Sequence, residues 1–168
     1  ERLVGAIGGY AGSESALDYS LQYMSEREAF GRPINKFQVL RHRVAQMASE
    51  IESIKYFVYH CCRLHAEGEY VVKECSMAKL LGTELSDKVM YQCLQFFGGY
   101  GYMEEYKMAR MFRDSRIGTI GGGTSEIMRE IIAKMVIDDK SYQKSTQTPI
   151  INTKATNGSA NGSINNKT

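Results

Sequence analysis

The chain has 168 residues, 43% of them hydrophobic and 24% charged, which is the size and make-up of one globular domain. Its two prolines, Pro33 and Pro149, bracket a long stretch without a helix breaker, which argues against a turn-rich sandwich and favours long helices. No apolar run approaches a membrane span, and the net charge of +2 comes from the far end: beyond Asp139 lie four lysines and no acid, so the body is slightly acidic and makes no case for nucleic-acid binding.

The chain opens on Glu1-Arg2 and is expected to be a piece of something longer, with any targeting segment outside it. Residues 3–24 place Leu3, Ile7, Tyr10, Leu17, Leu21 and Met24 on one side of a first helix. Glycines 5, 8, 9 and 12 crowd that segment, and each weakens an isolated helix by roughly 1 kcal/mol relative to alanine. Either a ligand or another backbone comes close there, or neighbouring helices hold this one together.

Gly31-Arg32-Pro33 breaks the chain. The next helix carries Phe37, Leu40, Val44, Met47, Ile51, Ile54, Val58, Cys61 and His65 in alternating steps of three and four. Such a seam is the mark of long helices packed nearly antiparallel in a bundle. Gly68 is the expected stop. A third helix is predicted from about Tyr70 to Phe97, with Val71, Cys75, Ala78, Leu85, Val89 and Phe96 on its inner face and Gly98-Gly99-Tyr100-Gly101 at its end. A short amphipathic stretch follows near 104–112. Gly121-Gly122-Gly123-Thr124-Ser125-Glu126 then leads into a last helix, capped by Thr124 or Ser125, that fades near Asp139.

The expected architecture is all-α, an antiparallel four-helix bundle over residues 1–140 with a flexible polar tail over 141–168. That tail is too poor in apolar residues to order itself, and its Asn-X-Ser/Thr triplets at Asn157, Asn161 and Asn166 arise readily in such a composition. Four cysteines without a CxxC pair read as buried free thiols, consistent with a reducing compartment. His60, Cys61, Cys62 and His65 have the wrong spacing for a metal site, since five helical residues place the two histidines roughly 140° apart. Gly121–Thr124 opening a helix could receive an anion or could be a plain turn, and spacing does not choose between them.

Five motifs together are more specific: Arg27-Glu28-Ala29-Phe30-Gly31-Arg32-Pro33-Ile34, Phe37-Gln38, Gln95-Phe96-Phe97-Gly98-Gly99-Tyr100-Gly101-Tyr102, Arg113-Asp114, and Gly123-Thr124-Ser125-Glu126-Ile127. In this order and spacing, from Glu1 to about Asp139, the chain resembles the C-terminal helical domain of acyl-CoA dehydrogenases. The resemblance implies an FAD enzyme that desaturates an acyl-CoA thioester between the α and β carbons. A carboxylate would take the α-proton, the β-hydride would go to FAD, and the electrons to electron-transferring flavoprotein. It also implies a homo-oligomer, dimer or tetramer, in the mitochondrial matrix of a eukaryote or the cytoplasm of a bacterium. This domain alone is expected to hold little FAD and to have no turnover.

Most members of that family carry the base as a loop Glu where this chain has Gly122. Members such as the isovaleryl-CoA and long-chain enzymes carry it on the first helix, in a Glu-Arg-Leu sequence matched by Glu1-Arg2-Leu3. The resemblance therefore makes Glu1 the base. It leaves Gly122 as the backbone N–H donor to the thioester oxygen, a role that needs no side chain. Arg2 and Gly123 match positions near the substrate. Arg27, Phe30 and Gln38 match contacts to the FAD of a neighbouring subunit, Gln95, Gly98 and Gly99 a segment at its adenosine end, and Thr124 and Glu126 contacts to the subunit's own FAD. Lys107 stands where many members have proline. A glycine at 122 is equally what loss of chemistry would leave, so a catalytically silent assembly or binding module stands as the alternative, with a related flavin oxidase as a third reading.

Overall fold

A computed structural model describes residues 1–141, and the expected tail lies almost wholly outside the described residues. Three long helices form the body: α1 (Arg2–Glu26), α2 (Gln38–Ala66) and α3 (Val72–Phe97). A two-residue hairpin, β1 (Glu28–Ala29) paired antiparallel with β2 (Arg32–Pro33), and a 3-10 turn (Ile34–Lys36) join α1 to α2. Beyond α3 come the single turn α4 (Gly99–Tyr102), α5 (Lys107–Ser115), a second 3-10 turn (Arg116–Thr119) and α6 (Ser125–Val136). The all-α bundle read from the sequence is the observed fold, and the break at Gly31-Arg32-Pro33 is a tight turn with Phe30 and Gly31 both at positive φ.

α3 is the central helix. Every residue assigned to its inner face, Val71, Cys75, Ala78, Leu85, Val89 and Phe96, is buried. The main core gathers Leu17, Met24, Met47, Ile51, Val89 and Met108 from α1, α2, α3 and α5, while Met128 and Ile131 of α6 close on Leu80 of α3. The expected seam of α2 is buried at Met47, Ile51, Val58 and Cys61. His65, placed on the same seam, is exposed in the last turn of α2. That helix ends as expected at Gly68 (φ +84), whose N–H bonds the His65 carbonyl while Glu69 N–H bonds that of Leu64, a Schellman closure.

The inner face of α1 differs from the one read off its large residues. Ile7 and Leu21 are more than a third exposed, and the buried set is Ala6, Gly9, Ser13, Ala16, Leu17, Ser20 and Met24. The reason is backbone proximity. A Cβ on Gly9 would lie 2.6 Å from the carbonyl oxygen of Gly82 in α3, so the two helices touch main chain to main chain. Helix packing thus accounts for Gly9 without a ligand. Ser13 and Ser20 satisfy their buried hydroxyls on the carbonyls of Gly9 and Ala16, 2.7 and 2.8 Å away in their own helix.

All four cysteines are free thiols, with Cys61, Cys75 and Cys93 buried and Cys62 half-buried. Burial pushes the thiols of Cys61 and Cys93 up to about 11. Among the described residues no three His, Cys, Asp or Glu side chains gather as a metal site, and no helix is long and apolar enough to cross a membrane. Lys107 opens α5 at the first helical position, a position where proline is generally favoured.

Candidate functional site

The sequence-selected residues fall into three groups at two ends of the bundle. At one end, Glu1 precedes α1 and meets the glycine turn before α6. Gly122 (φ +65) and Gly123 (φ +100) both hold left-handed backbone, which the absence of a side chain permits. A Cβ built on Gly122 would stand 3.3 Å from Glu1 Oε1, 3.6 Å from its Cδ and 3.7 Å from its Cγ. The carboxylate of the first helix therefore occupies the space next to the loop glycine. A Cβ on Gly123 would strike the Met128 methyl at 2.6 Å, so α6 packs directly under the turn. Arg2 is half-buried on α1; burial raises the Cys75 thiol of α3 above its usual range, and the Arg2 charge opposes that only weakly.

One residue here escaped the sequence reading. Lys79 of α3 is 2% exposed, and its Nζ donates to the Gly123 carbonyl at 2.5 Å. Its stem lies against α1, since a Cβ on Gly5 would be 3.6 Å from Lys79 Cγ. Burial pushes the ammonium below its usual range, and only the Glu84 charge opposes that shift. The available signal was phase. Lys79 follows Cys75 by four residues and precedes Gly82 by three, which puts a charge on the face that α3 buries.

The second group surrounds the start of α6. Thr124 caps this helix, its Oγ1 accepting from Ile127 N–H at 3.3 Å. Thr124, Ser125 and Glu126 line a cleft of about 430 Å³ with Glu84, Asp87, Arg116, Thr119 and Ile120. Its acids are partly countered: Glu84 bonds Arg129 at 2.6 Å and Asp87 lies 3.8 Å from Arg116, which also bonds Thr119. Hydrogen bonds from its own backbone N–H and from Thr124 pull the Glu126 carboxyl below its usual range. Ser125 Oγ is buried at this cleft with no hydrogen-bond partner.

The third group is at the other end of α1. Arg27, Gln95, Gly98 and Gly99 line one cleft of about 620 Å³ with Tyr23, Ile34, Leu40, Phe97, Tyr100 and Met103. The Arg27 guanidinium stands 5.7 Å from the Tyr100 ring centre, and Tyr23 stacks on Phe97 at 4.1 Å. No heavy atom lies within 4 Å of where a Cβ would be on Gly98 or Gly99, so both glycines present bare backbone to open space. Phe30, at the hairpin tip with φ +51, is 95% exposed, its ring edge-on to that of Phe37 with centres 6.2 Å apart. Gln38 is exposed at the first position of α2. Glu1 and Arg27 flank the 25-residue α1, so at 1.5 Å per residue roughly 39 Å separates the carboxylate from this cleft.

These observations define an all-α domain with the sequence-selected residues gathered at its two ends. The model of the C-terminal domain of acyl-CoA dehydrogenase matches residues 1–137. The short/branched-chain specific mitochondrial enzyme of Bos taurus is 40% identical over 124 residues, covering 74% of this chain and 29% of its own. The long-chain specific mitochondrial enzyme of Sus scrofa is 38% identical over 140 residues, covering 83% and 33%. The crystal structure of an acyl-CoA dehydrogenase from Geobacillus kaustophilus superposes with a TM-score of 0.81 at 41% identity, over 82% of this chain and 36% of that one. The chain belongs to the acyl-CoA dehydrogenase family, as its C-terminal helical domain, and spans about a third of the length of the curated relatives it matches.

Proposed function

We propose that this domain supplies the base and part of the flavin site of an FAD-dependent acyl-CoA dehydrogenase, with Glu1 as the base. The observation that carries the proposal is the Glu1 carboxylate packed against Gly122, 3.3 Å from where a side chain at that position would begin. The first helix and the glycine turn meet at one point, so a base carried by either reaches the same space. Glycine at 122 leaves that space to Glu1.

In this reading Glu1 removes the α-proton of the acyl thioester. The Gly122 N–H donates to the thioester oxygen and stabilises the negative charge that develops as the proton leaves. Bound FAD supplies the acceptor for the hydride lost from the β-carbon. Arg2 and Gly123 border the substrate.

Two features of this chain fit the flavin. The α6 N-terminus offers free N–H groups, a Thr124 hydroxyl and the unpartnered Ser125 hydroxyl to polar or anionic groups. Glu126, an acceptor only, suits hydroxyls of the cofactor rather than its phosphates. At the other end, Arg27 provides a fork of donors for a pyrophosphate, with Phe30, Gln38, Gln95, Gly98 and Gly99 around it. The separation of roughly 39 Å along α1 is farther than one FAD reaches from its reactive ring, so the Arg27 cleft serves a second flavin, held by another copy of the chain. A homo-oligomer follows, with electron-transferring flavoprotein as the electron acceptor. The short/branched-chain and long-chain relatives are nearly equal in identity, so they do not select an acyl length.

The test uses the full-length flavoprotein, wild type and Glu1→Gln. Each is mixed anaerobically with straight- and branched-chain acyl-CoAs while flavin absorbance is followed. Wild type is expected to bleach, and the variant to bind FAD and substrate but bleach at least ~1000-fold more slowly. Equal rates would refute Glu1 as the base. A wild type that holds FAD and never bleaches would refute the dehydrogenase reading.

A further inference from the structure

We infer that Lys79 is a positioning residue for this site, fastening the glycine turn to the first turn of α1 so that the Gly122 N–H and the Glu1 carboxylate keep a fixed relation. The inference rests on the proposed function for its chemical consequence, but not for its structural one.

Three consecutive glycines, Gly121, Gly122 and Gly123, give this turn more backbone freedom than any other loop of the described residues, and two of them sit at positive φ. Such a segment wanders unless something holds it. Its own tethers lie at the edges: Gly121 N–H bonds the Ile117 carbonyl at 2.7 Å, and Thr124 Oγ1 accepts from Ile127 N–H. Between these edges, Lys79 holds the Gly123 carbonyl at 2.5 Å.

That bond orients a whole peptide plane. The Gly123 carbonyl and the Thr124 N–H belong to one trans peptide and point in opposite directions, so fixing the carbonyl toward α3 turns the N–H outward at the α6 N-terminus. The same side chain also touches the other half of the site. Its stem runs beside Gly5, one turn after Glu1, and the Gly5 N–H bonds the Glu1 carbonyl at 3.0 Å. Lys79 is thus one side chain that bonds the turn and runs beside the first turn of α1, the two segments that carry the proposed chemistry.

A buried ammonium is an expensive way to fill space, and this one lies in no ion pair of the described residues. A core role alone would be met by leucine or methionine at lower cost. What lysine adds at this position is length and a charged donor at the tip, and the tip reaches the turn.

The test compares the full-length flavoprotein with its Lys79→Met variant, which keeps the unbranched apolar stem and loses the donor at its tip. Two readouts are taken. The first is amide hydrogen exchange over residues 118–128 against residues 40–60 of α2. Loss of the tether is expected to raise exchange in the first segment about tenfold and leave the second within about twofold. The second uses acyl-CoA analogues of short, medium and long chain with sulfur in place of the β-methylene. These give up the α-proton but no hydride, and the enolate reports itself by a long-wavelength charge-transfer band with oxidised flavin. The pH midpoint of that band is expected to rise by about one unit in the variant, with analogue affinity and FAD content within about threefold of wild type.

Unchanged exchange over 118–128, or an equal rise in both segments, would overturn the inference. So would a wild-type midpoint in a variant whose loop exchange has risen. If wild type holds FAD and gives no band with any analogue, the proposed function fails, and the exchange ratio alone decides whether Lys79 fastens the turn. Lys79→Gln, whose amide is too short to reach the Gly123 carbonyl, replaces the methionine variant if that one does not fold, with the same expected shifts.

Discussion

Two adjacent glycines in α1 give opposite predictions for the same substitution. Alanine at either position gains up to ~1 kcal/mol of helix propensity. At Gly8 nothing lies within 4 Å of the new Cβ, so that gain is kept and Gly8→Ala stabilises by about 0.5–1 kcal/mol. At Gly9 the new Cβ falls 2.6 Å from the Gly82 carbonyl oxygen, 2.8 Å from its carbon and 3.2 Å from Thr83 N. These are backbone atoms of a helix and cannot turn aside. α1 and α3 must part by about 0.8 Å to restore ordinary contact, loosening Ala6, Ser13 and Ala16 along the same face. Overpacking of this kind costs about 1–3 kcal/mol, which outweighs the propensity gain, so Gly9→Ala is expected to lose a net ~1–2 kcal/mol. For a chain of this size the two variants should differ by roughly 5–10 °C in Tm. Thermal and urea unfolding of the 168-residue chain, followed by far-UV circular dichroism, measures both. If Gly9→Ala is as stable as Gly8→Ala, the main-chain contact between α1 and α3 is not what the glycine serves.

The buried thiols and one interhelical ion pair give further tests. With Cys61 and Cys93 pushed up to about 11, the native chain at pH 8 should be alkylated by iodoacetamide at Cys62 first, and at Cys61 and Cys93 only after denaturation. Peptide mapping after a timed pulse reads this, and early labelling of Cys93 would contradict its burial. Glu50 of α2 accepts from Lys88 of α3 at 2.6 Å. Burial raises the Glu50 carboxyl, but the bonds from Lys88 and Gln46 outweigh it and hold the carboxyl below its ordinary value of 4.5. A depressed carboxyl contributes stability above its unfolded pKa and loses it as pH falls through the folded one. The chain should therefore weaken below about pH 4.5, and Lys88→Met should flatten that part of the profile in urea titrations at stepped pH. An unaltered slope would show that the pair does not contribute.

Sequence pattern served best where side-chain size and burial go together. On α3 all six residues placed on the inner face by their spacing, from Val71 to Phe96, are buried. On α1 size and burial part company in places: Leu17 and Met24 are buried as read, but the close approach to α3 is built from Ala, Gly and Ser so that backbones can meet, and Ile7 and Leu21 are more than a third exposed. The α6 cap was legible as Thr124 or Ser125 because capping is local chemistry, and it is Thr124 that takes the role. Glu1 and Gly122 were paired only through family resemblance, since no local signal joins residues at the two ends of a domain, and the fold brings them into contact. Lys79 was missed because a single lysine in an amphipathic helix reads as solvent-facing unless its phase is checked against its neighbours.

The length of α1 has a genetic consequence. If each flavin is served by the Glu1 end of one copy and the Arg27 end of another, no chain owns a complete site, and every site is a partnership. A chain damaged only at Glu1 and a chain damaged only at Arg27 then assort into mixed assemblies in which the defects fall together on some sites and leave others whole. Two inactive alleles would in part restore one another, while two lesions at the same end would not.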